Sequence, residues 1–230
     1  MRKWIGGVCV FLGVICILSA IGFAAYNRWE DKNAEKIAQN ILEDVQSIIK
    51  EPQPEPSLPE DTVTLPDDTV SSPDDTEDSP DDTVHLPDDT EKTPAEMATV
   101  EVNGYDCIGI LSVPVLGLEL PVLTDWSYTK LKKAPCHYYG SYYEKDFVIA
   151  AHNYQTHFGR LPELLAGDMI IFTDVTGAVY YYEVVLLETL PKEATKEMIT
   201  SGFDLSLYTC TPGGANRVTV RCNLKERNTH

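Results

Sequence analysis

From Ile5 to Ala25 the chain is apolar almost without interruption, Ser19 being the one polar side chain in the stretch. At about 1.5 Å per residue such a helix crosses a hydrocarbon core of about 30 Å, so the pattern predicts a membrane-spanning helix. Arg2 and Lys3 before it favour a cytoplasmic N-terminus, although Arg28 and Lys32 after it make the charge bias modest. A cleaved signal peptide is the rival reading, with Gly22-Phe23-Ala24 as a cleavage-like pattern, but the stretch is longer than the ~7 to 15 residues of a signal core. Between Glu30 and Lys50 the apolar positions Ile37, Ile41, Val45 and Ile48 recur at helical spacing, with Glu35, Lys36, Glu43 and Asp44 elsewhere on the wheel. That predicts an amphipathic helix, as a stalk, a weak coiled coil or a surface-lying segment; its brevity favours the stalk.

Helical and strand periods both vanish over residues 51–97. Beyond them short apolar runs with a period of two predict strands at Ile108 to Val113, Leu118 to Leu123, Phe147 to Ala151, Met169 to Thr173, Val179 to Glu188, Leu205 to Cys210 and Val218 to Leu224. Asp174-Val175-Thr176-Gly177 has the composition of a hairpin turn, and short helices are predicted at Ser127 to Lys133 and Leu161 to Leu165. Tyr180, Tyr181 and Tyr182 divide between core and surface, because consecutive strand residues alternate faces. The chain thus divides into a cytoplasmic tip and membrane helix (1–29), a juxtamembrane helix (30–50), a disordered linker (51–97) and one mostly β domain (98–230) with a single core, its strands antiparallel and barrel-like.

Composition changes the picture mainly in the linker. Pro59, Pro66, Pro73, Pro80, Pro87 and Pro94 recur every seven residues, the middle four within Leu-Pro-Asp-Asp-Thr or Ser-Pro-Asp-Asp-Thr units, a spacer composition without the apolar content for a core. Residues 51–96 hold sixteen Asp and Glu against one Lys, so most of the formal net charge of −18 belongs to this tract. Fully extended at about 3.1 Å per residue it spans on the order of 140 Å. The absence of a basic stripe argues against a nucleic-acid partner.

The candidate chemistry lies in the last hairpin. Leu205–Cys210, the loop Thr211-Pro212-Gly213-Gly214-Ala215-Asn216 and Arg217–Arg221 read as strand, loop, strand, with Cys210 and Arg217 closing the loop opposite one another. A neighbouring cation favours the thiolate, which is the nucleophilic form of cysteine. Of the five histidines, His85 lies in the linker and His230 ends the chain, His137 sits among polar and aromatic loop residues and His157 follows a turn. His152 alone ends an apolar run, Phe147-Val148-Ile149-Ala150-Ala151, where a rigid strand can aim it into a cleft. Cys9 and Cys16 fall inside the predicted membrane span. A disulfide between two of Cys107, Cys136 and Cys222 is open, since spacing assigns none. No close Cys/His pairing of the structural zinc kind is present.

Phe147–Asn153, Leu207-Tyr208-Thr209-Cys210 and Arg217 resemble the sortase family in order, strand context and approximate spacing. Ile110-Leu111-Ser112-Val113-Pro114-Val115-Leu116-Gly117-Leu118-Glu119-Leu120-Pro121-Val122 is similar to that family's opening hairpin, and Phe158-Gly159-Arg160-Leu161 with Ala166-Gly167-Asp168 to the helix and strand entry after its histidine. The resemblance covers roughly residues 100–224. It implies a closed antiparallel β-barrel and a cysteine transpeptidase, with catalytic Cys210, His152 and Arg217. It further implies that the enzyme cleaves a C-terminal sorting signal of secreted proteins through a thioacyl intermediate and transfers them to a cell-envelope amine. The partners are then proteins bearing a sorting signal, an acceptor amine from a peptidoglycan precursor, a cross-bridge or a pilin lysine, and the membrane that holds the N-terminal helix, with the catalytic domain extracellular.

No cofactor or metal is expected; calcium activation stays open, a lone Glu119 or Glu163 deciding nothing. Thr209-Cys210-Thr211-Pro212 and its glycine-rich loop look somewhat like pilin-polymerising sortases, whereas the N-terminal anchor favours a housekeeping or accessory role in anchoring proteins to peptidoglycan. Leu65-Pro66-Asp67-Asp68-Thr69 and Leu86-Pro87-Asp88-Asp89-Thr90 depart from a Leu-Pro-x-Thr-Gly signal by an extra acidic residue and the missing glycine. A papain-like hydrolase places its cysteine before its histidine, against the order here. A non-enzymatic, membrane-tethered surface β-domain would leave the three residues incidental.

Overall fold

The computed structural model describes residues 2–50 and 96–228. The predicted acidic repeat linker lies outside the described residues, apart from positions 96 and 97. The chain begins with one continuous helix, α1 (Arg2–Lys50), which joins the two predicted helices without a break. Its apolar part is long enough to cross a membrane and has none of its apolar window buried. From Glu30 onward the helix changes character. Ala34, Ala38, Ile41, Leu42 and Val45 are buried at helical spacing, and the last three pack with Val102, Cys107, Ile110, Leu123 and Cys136 of the β domain. Apolar positions spaced by three and four form one stripe, and that stripe is spent on the sheet, so this half of α1 is a packed element of the domain where the sequence favoured a free stalk.

The remaining strands and α-helices are β1 (Val100–Val102), β2 (Tyr105–Val113), β3 (Leu118–Leu123), α2 (Tyr128–Leu131), β4 (Cys136–Tyr139), β5 (Phe147–Ala150), β6 (Met169–Asp174), β7 (Val179–Pro191), α3 (Thr195–Ile199), β8 (Leu205–Cys210) and β9 (Asn216–Asn228), with single 3-10 turns at Pro114–Leu116 and Leu161–Glu163. β1 and β4 were not predicted. β1 is fixed by the turn Asn103-Gly104, whose positive φ angles of 53° and 76° suit an Asn-Gly hairpin. Strand order is β1-β2-β3-β4-β5-β8-β9-β7-β6, and β2 also pairs with β6, which brings the sheet round on itself.

The fold is mostly β as predicted, but two features differ from a closed antiparallel barrel. β3 meets β4 through the single pair Leu123↔Cys136, so the circle has a weak seam, and β3–β4 and β5–β8 are parallel. A parallel pair needs a long crossover, and here β6, β7 and α3 intervene between β5 and β8. The main core holds Leu111, Phe147, Ile149, Phe172, Tyr180, Tyr182, Leu205, Leu207 and Val220. Tyr180 and Tyr182 are buried while Tyr181 between them is half-buried, the expected alternation.

Candidate active site

Strand parity builds the site. Phe147, Ile149, Leu205, Leu207, Val220 and Cys222 point into the core, so the alternate residues Val148, Ala150, Ser206, Tyr208, Cys210, Arg217, Thr219 and Arg221 point to the opposite face. The registers put Cys210 opposite Arg217 on β9 and Ala150 beside Tyr208 on β5. Beyond Ala150 the pairing continues by one residue: Ala151 N donates to Tyr208 O at 3.2 Å, and Thr209 Oγ1 donates to Ala151 O at 2.9 Å. Continued one residue further, past the end of β5, that register brings the His152 backbone level with Cys210, which itself faces Arg217 across β8 and β9.

Their side chains do not share one cavity. Cys210 and Arg217 line a groove of about 180 Å³ together with Ala150, Ala151, Tyr208 and Met198. Its aromatic wall runs through Trp126, Tyr138 and Tyr208, with ring centroids 5.5 and 5.3 Å apart. Arg217 Nη1 donates to the carbonyls of Gly214 and Asn216, both at 3.1 Å, which holds the guanidinium over its own hairpin loop. Thr211 closes that loop, its N–H donating to Asn216 O at 3.0 Å and its hydroxyl accepting from Asn216 N at 3.1 Å.

The His152 ring is turned the other way. It stacks on Tyr154 at 4.0 Å and lines an adjacent cavity of about 330 Å³ bounded by Asn27, Arg28, Glu30 and Asp31 of α1. Burial is the chief cause that holds its pKa below the ordinary imidazole value. The positive charge of Lys132 acts in the same direction, while Glu30 and Asp31 oppose it.

The other predicted candidates resolve as structural. His157 is fully buried, and burial pushes it down to about 4. His137 has its ring nitrogens 3.0 Å from Thr124 O and 2.8 Å from Gly140 O. His85 and His230 lie outside the described residues. Cys107, Cys136 and Cys222 are free thiols in the interior, and burial pushes Cys107 and Cys136 up to about 12. Glu119 accepts from Gln46 Nε2 at 2.9 Å and Glu163 pairs with Arg160 at 2.8 Å. Among the described residues no group of three or more His, Cys, Asp or Glu side chains is placed to hold a metal ion.

Two features of the site were not read from the sequence. One is α3, which supplies Thr195 and Met198 to the groove wall. The other is what holds it there. Arg221 is only 2% exposed, and its guanidinium donates to Glu188 Oε1, Ser206 Oγ, Met198 O and Glu197 O at 2.8, 2.7, 3.3 and 2.8 Å. The available signal was an arginine four residues after Arg217, on the same face of a strand whose other face is core.

Comparison with known proteins bears on the family and the fold. The chain is similar to sortase A from Listeria monocytogenes, at 18% identity and a TM-score of 0.50 over 53% of this chain and 89% of that one, a likeness of fold. Similarity to sortase A from Corynebacterium diphtheriae is 24% in identity with a TM-score of 0.49 over 55% of this chain, which spans only 64% of that protein. Sortase C1 from Streptococcus agalactiae gives 23%, 0.49, 56% and 72%. No curated protein matches the chain. The family model described as the sortase domain matches residues 111–225, half of the chain, and this protein is a member of the sortase family.

Proposed function

We propose that this chain is a membrane-anchored cysteine transpeptidase that cleaves a Leu-Pro-x-Thr-Gly-like sorting signal of secreted proteins and joins the new carboxyl end to a cell-wall amine. The observation that carries the reading is the pair Cys210 and Arg217 facing one another across β8 and β9 in an aromatic-walled groove, with His152 two residues past the end of the neighbouring strand β5. The groove suits an extended peptide with aliphatic and proline side chains. In the first step the Cys210 thiolate attacks the carbonyl carbon after the signal's threonine: the C–S bond forms, the C–N bond breaks, and His152 as imidazolium gives its proton to the leaving amine. In the second, an acceptor amine attacks the thioacyl carbon and passes a proton to the neutral imidazole, while sulfur leaves as thiolate. Arg217 offers its fork of donors to the oxyanion of each step.

The imidazole must swing from Tyr154 toward the sulfur for the first step, and its resting place lines the α1 side, from which an amine can approach. Burial disfavours the imidazolium, so His152 holds its proton less readily than a solvent-exposed imidazole does. The apolar N-terminal helix anchors the protein, with the N-terminus cytoplasmic and the catalytic domain outside. The test is incubation with a library of fluorogenic sorting peptides and an amine acceptor, followed by intact mass. A thioacyl adduct and a transfer product from the parent, both absent in Cys210→Ala, support the reading. Absence of any adduct across the library favours a non-enzymatic surface domain.

A further inference from the structure

The segment that follows β5 carries more than His152. It folds back as a tight turn in which His157 N and Gly159 N donate to Tyr154 O at 3.0 and 2.8 Å. Tyr154 stacks under the His152 ring and meets His157 edge-on at 5.5 Å. His152 Nδ1 is buried without a partner, and so are both ring nitrogens of His157. His157 stays neutral at physiological pH, because burial pushes its pKa down to about 4, so it supplies no charge to its neighbour.

The charged groups around the imidazole come from other elements. α1 contributes Arg28, Glu30 and Asp31 to the cavity that His152 lines, and the turn after α2 contributes Lys132, while Cys210 and Arg217 of β8 and β9 line the neighbouring groove. Asp31 Oδ1 accepts from Thr156 Oγ1 at 2.7 Å and from Thr156 N at 3.3 Å, and Glu30 accepts from Lys132 Nζ at 2.8 Å.

We propose that Glu30 and Asp31 are positioning residues for His152: the first packed turn of α1 clasps the His152–His157 segment at Thr156 and holds negative charge beside the imidazole, anchoring the segment that carries the ring and favouring the charged form that burial opposes. Asp31 pins the turn at Thr156, four residues beyond the imidazole. Glu30 neutralises Lys132, the cation that otherwise opposes a second positive charge at His152. Both carboxylates stand five and six residues beyond Ala25, where the apolar stretch ends, so one rigid helix links the membrane surface to the proton-transfer group. A domain lacking α1 would keep Lys132 and lose both carboxylates. The inference rests on the reading of His152 as the acid and base of the proposed reaction.

The test uses the full chain in detergent micelles, with the His152 ring resonance assigned by loss in His152→Gln and its titration followed by NMR in the parent, Glu30→Gln and Asp31→Asn. Gln and Asn keep a side-chain carbonyl that accepts the bonds from Lys132 and Thr156, so the charge goes while the acceptor stays. Each variant is expected to lower the His152 midpoint by about half a pH unit and, with a peptide that acylates Cys210, to slow acylation at neutral pH about threefold. In Asp31→Ala, which removes the acceptor too, the Thr156 amide is expected to lose protection from hydrogen exchange. An unchanged His152 midpoint in both charge-removing variants, or unchanged Thr156 protection in Asp31→Ala, overturns the proposal. These readouts need no peptide, so a protein that titrates as expected but never forms a thioacyl adduct overturns the transpeptidase reading instead.

Discussion

Replacing Arg221 by methionine tests how the groove wall is held. The guanidinium is 2% exposed and bridges β9, β7, β8 and α3 through its four acceptors. Methionine fills much of the volume but donates nothing, leaving the carbonyls of Glu197 and Met198, the Ser206 hydroxyl and the Glu188 carboxylate without it. Removing one partner of a buried ion pair costs ~3–5 kcal/mol, much of it the burden of the charge left behind. The Glu188 side chain keeps 31% exposure, so water can reach it and the lower end applies, about 3 kcal/mol. For a folded unit of this size that lowers Tm by roughly 10 °C.

Circular dichroism melting of a fragment from Asn27 to the C-terminus measures the loss while keeping the packed half of α1. Arg221→Met combined with Glu188→Leu is expected to recover most of it, since an apolar pair replaces an ion pair at little cost once neither charge is orphaned. In peptide kinetics the single variant is expected to raise KM more than it lowers kcat, because the loosened element is the substrate wall and not the reacting residues. A Tm within about 2 °C of the parent would refute the view that this buried charge secures α3.

A fragment beginning at Glu96 is expected to melt well below the one beginning at Asn27, or to aggregate. It loses the burial of Ile41, Leu42 and Val45, worth ~1.5–3 kcal/mol each, and uncovers Val102, Ile110 and Leu123. Acid titration is expected to show His157. Its folded pKa of about 4 lies below the unfolded value of about 6.5, so the unfolded chain binds the extra proton and stability falls as pH drops between those values, by roughly 3 kcal/mol in all. His157→Phe should flatten the urea midpoint over that window, and an unaltered slope would contradict it. Iodoacetamide at pH 7.5 should label Cys210 alone in the Asn27 fragment, because Cys107 and Cys136 are pushed up to about 12 and Cys222 is buried; intact mass and peptide mapping check this.

Much of the site was legible because strand periodicity carries absolute information about faces. Once Leu205–Cys210 and Val218–Leu224 are strands closing a short loop, Cys210 and Arg217 must face one another, and the register bears that out. The apolar run Phe147–Ala151 likewise marked His152 as the residue leaving a buried strand. What parity does not encode is the direction in which a side chain turns past the end of its strand. The His152 ring went to Tyr154 and α1, a choice made by aromatic stacking and by the packing of a helix more than a hundred residues away in sequence. The short strand β4 escaped because its residues Cys136–Tyr139 mix polar and aromatic positions without alternation, and it is ordered by β5 on one side and a single pair to β3 on the other.

The amino-acid order alone determined what is local: a membrane-length apolar helix, the amphipathic stripe after it, a proline-spaced acidic tract, and strands whose alternation sets which residues face the groove. Tertiary structure decided what is not local. It spent the stripe of α1 on the β domain, brought β8 beside β5 as a parallel neighbour across two intervening strands and a helix, and buried Arg221 behind α3. The physical reason is that an apolar stripe or a fork of donors states only that it must be covered; which surface covers it depends on where the rest of the chain has already packed.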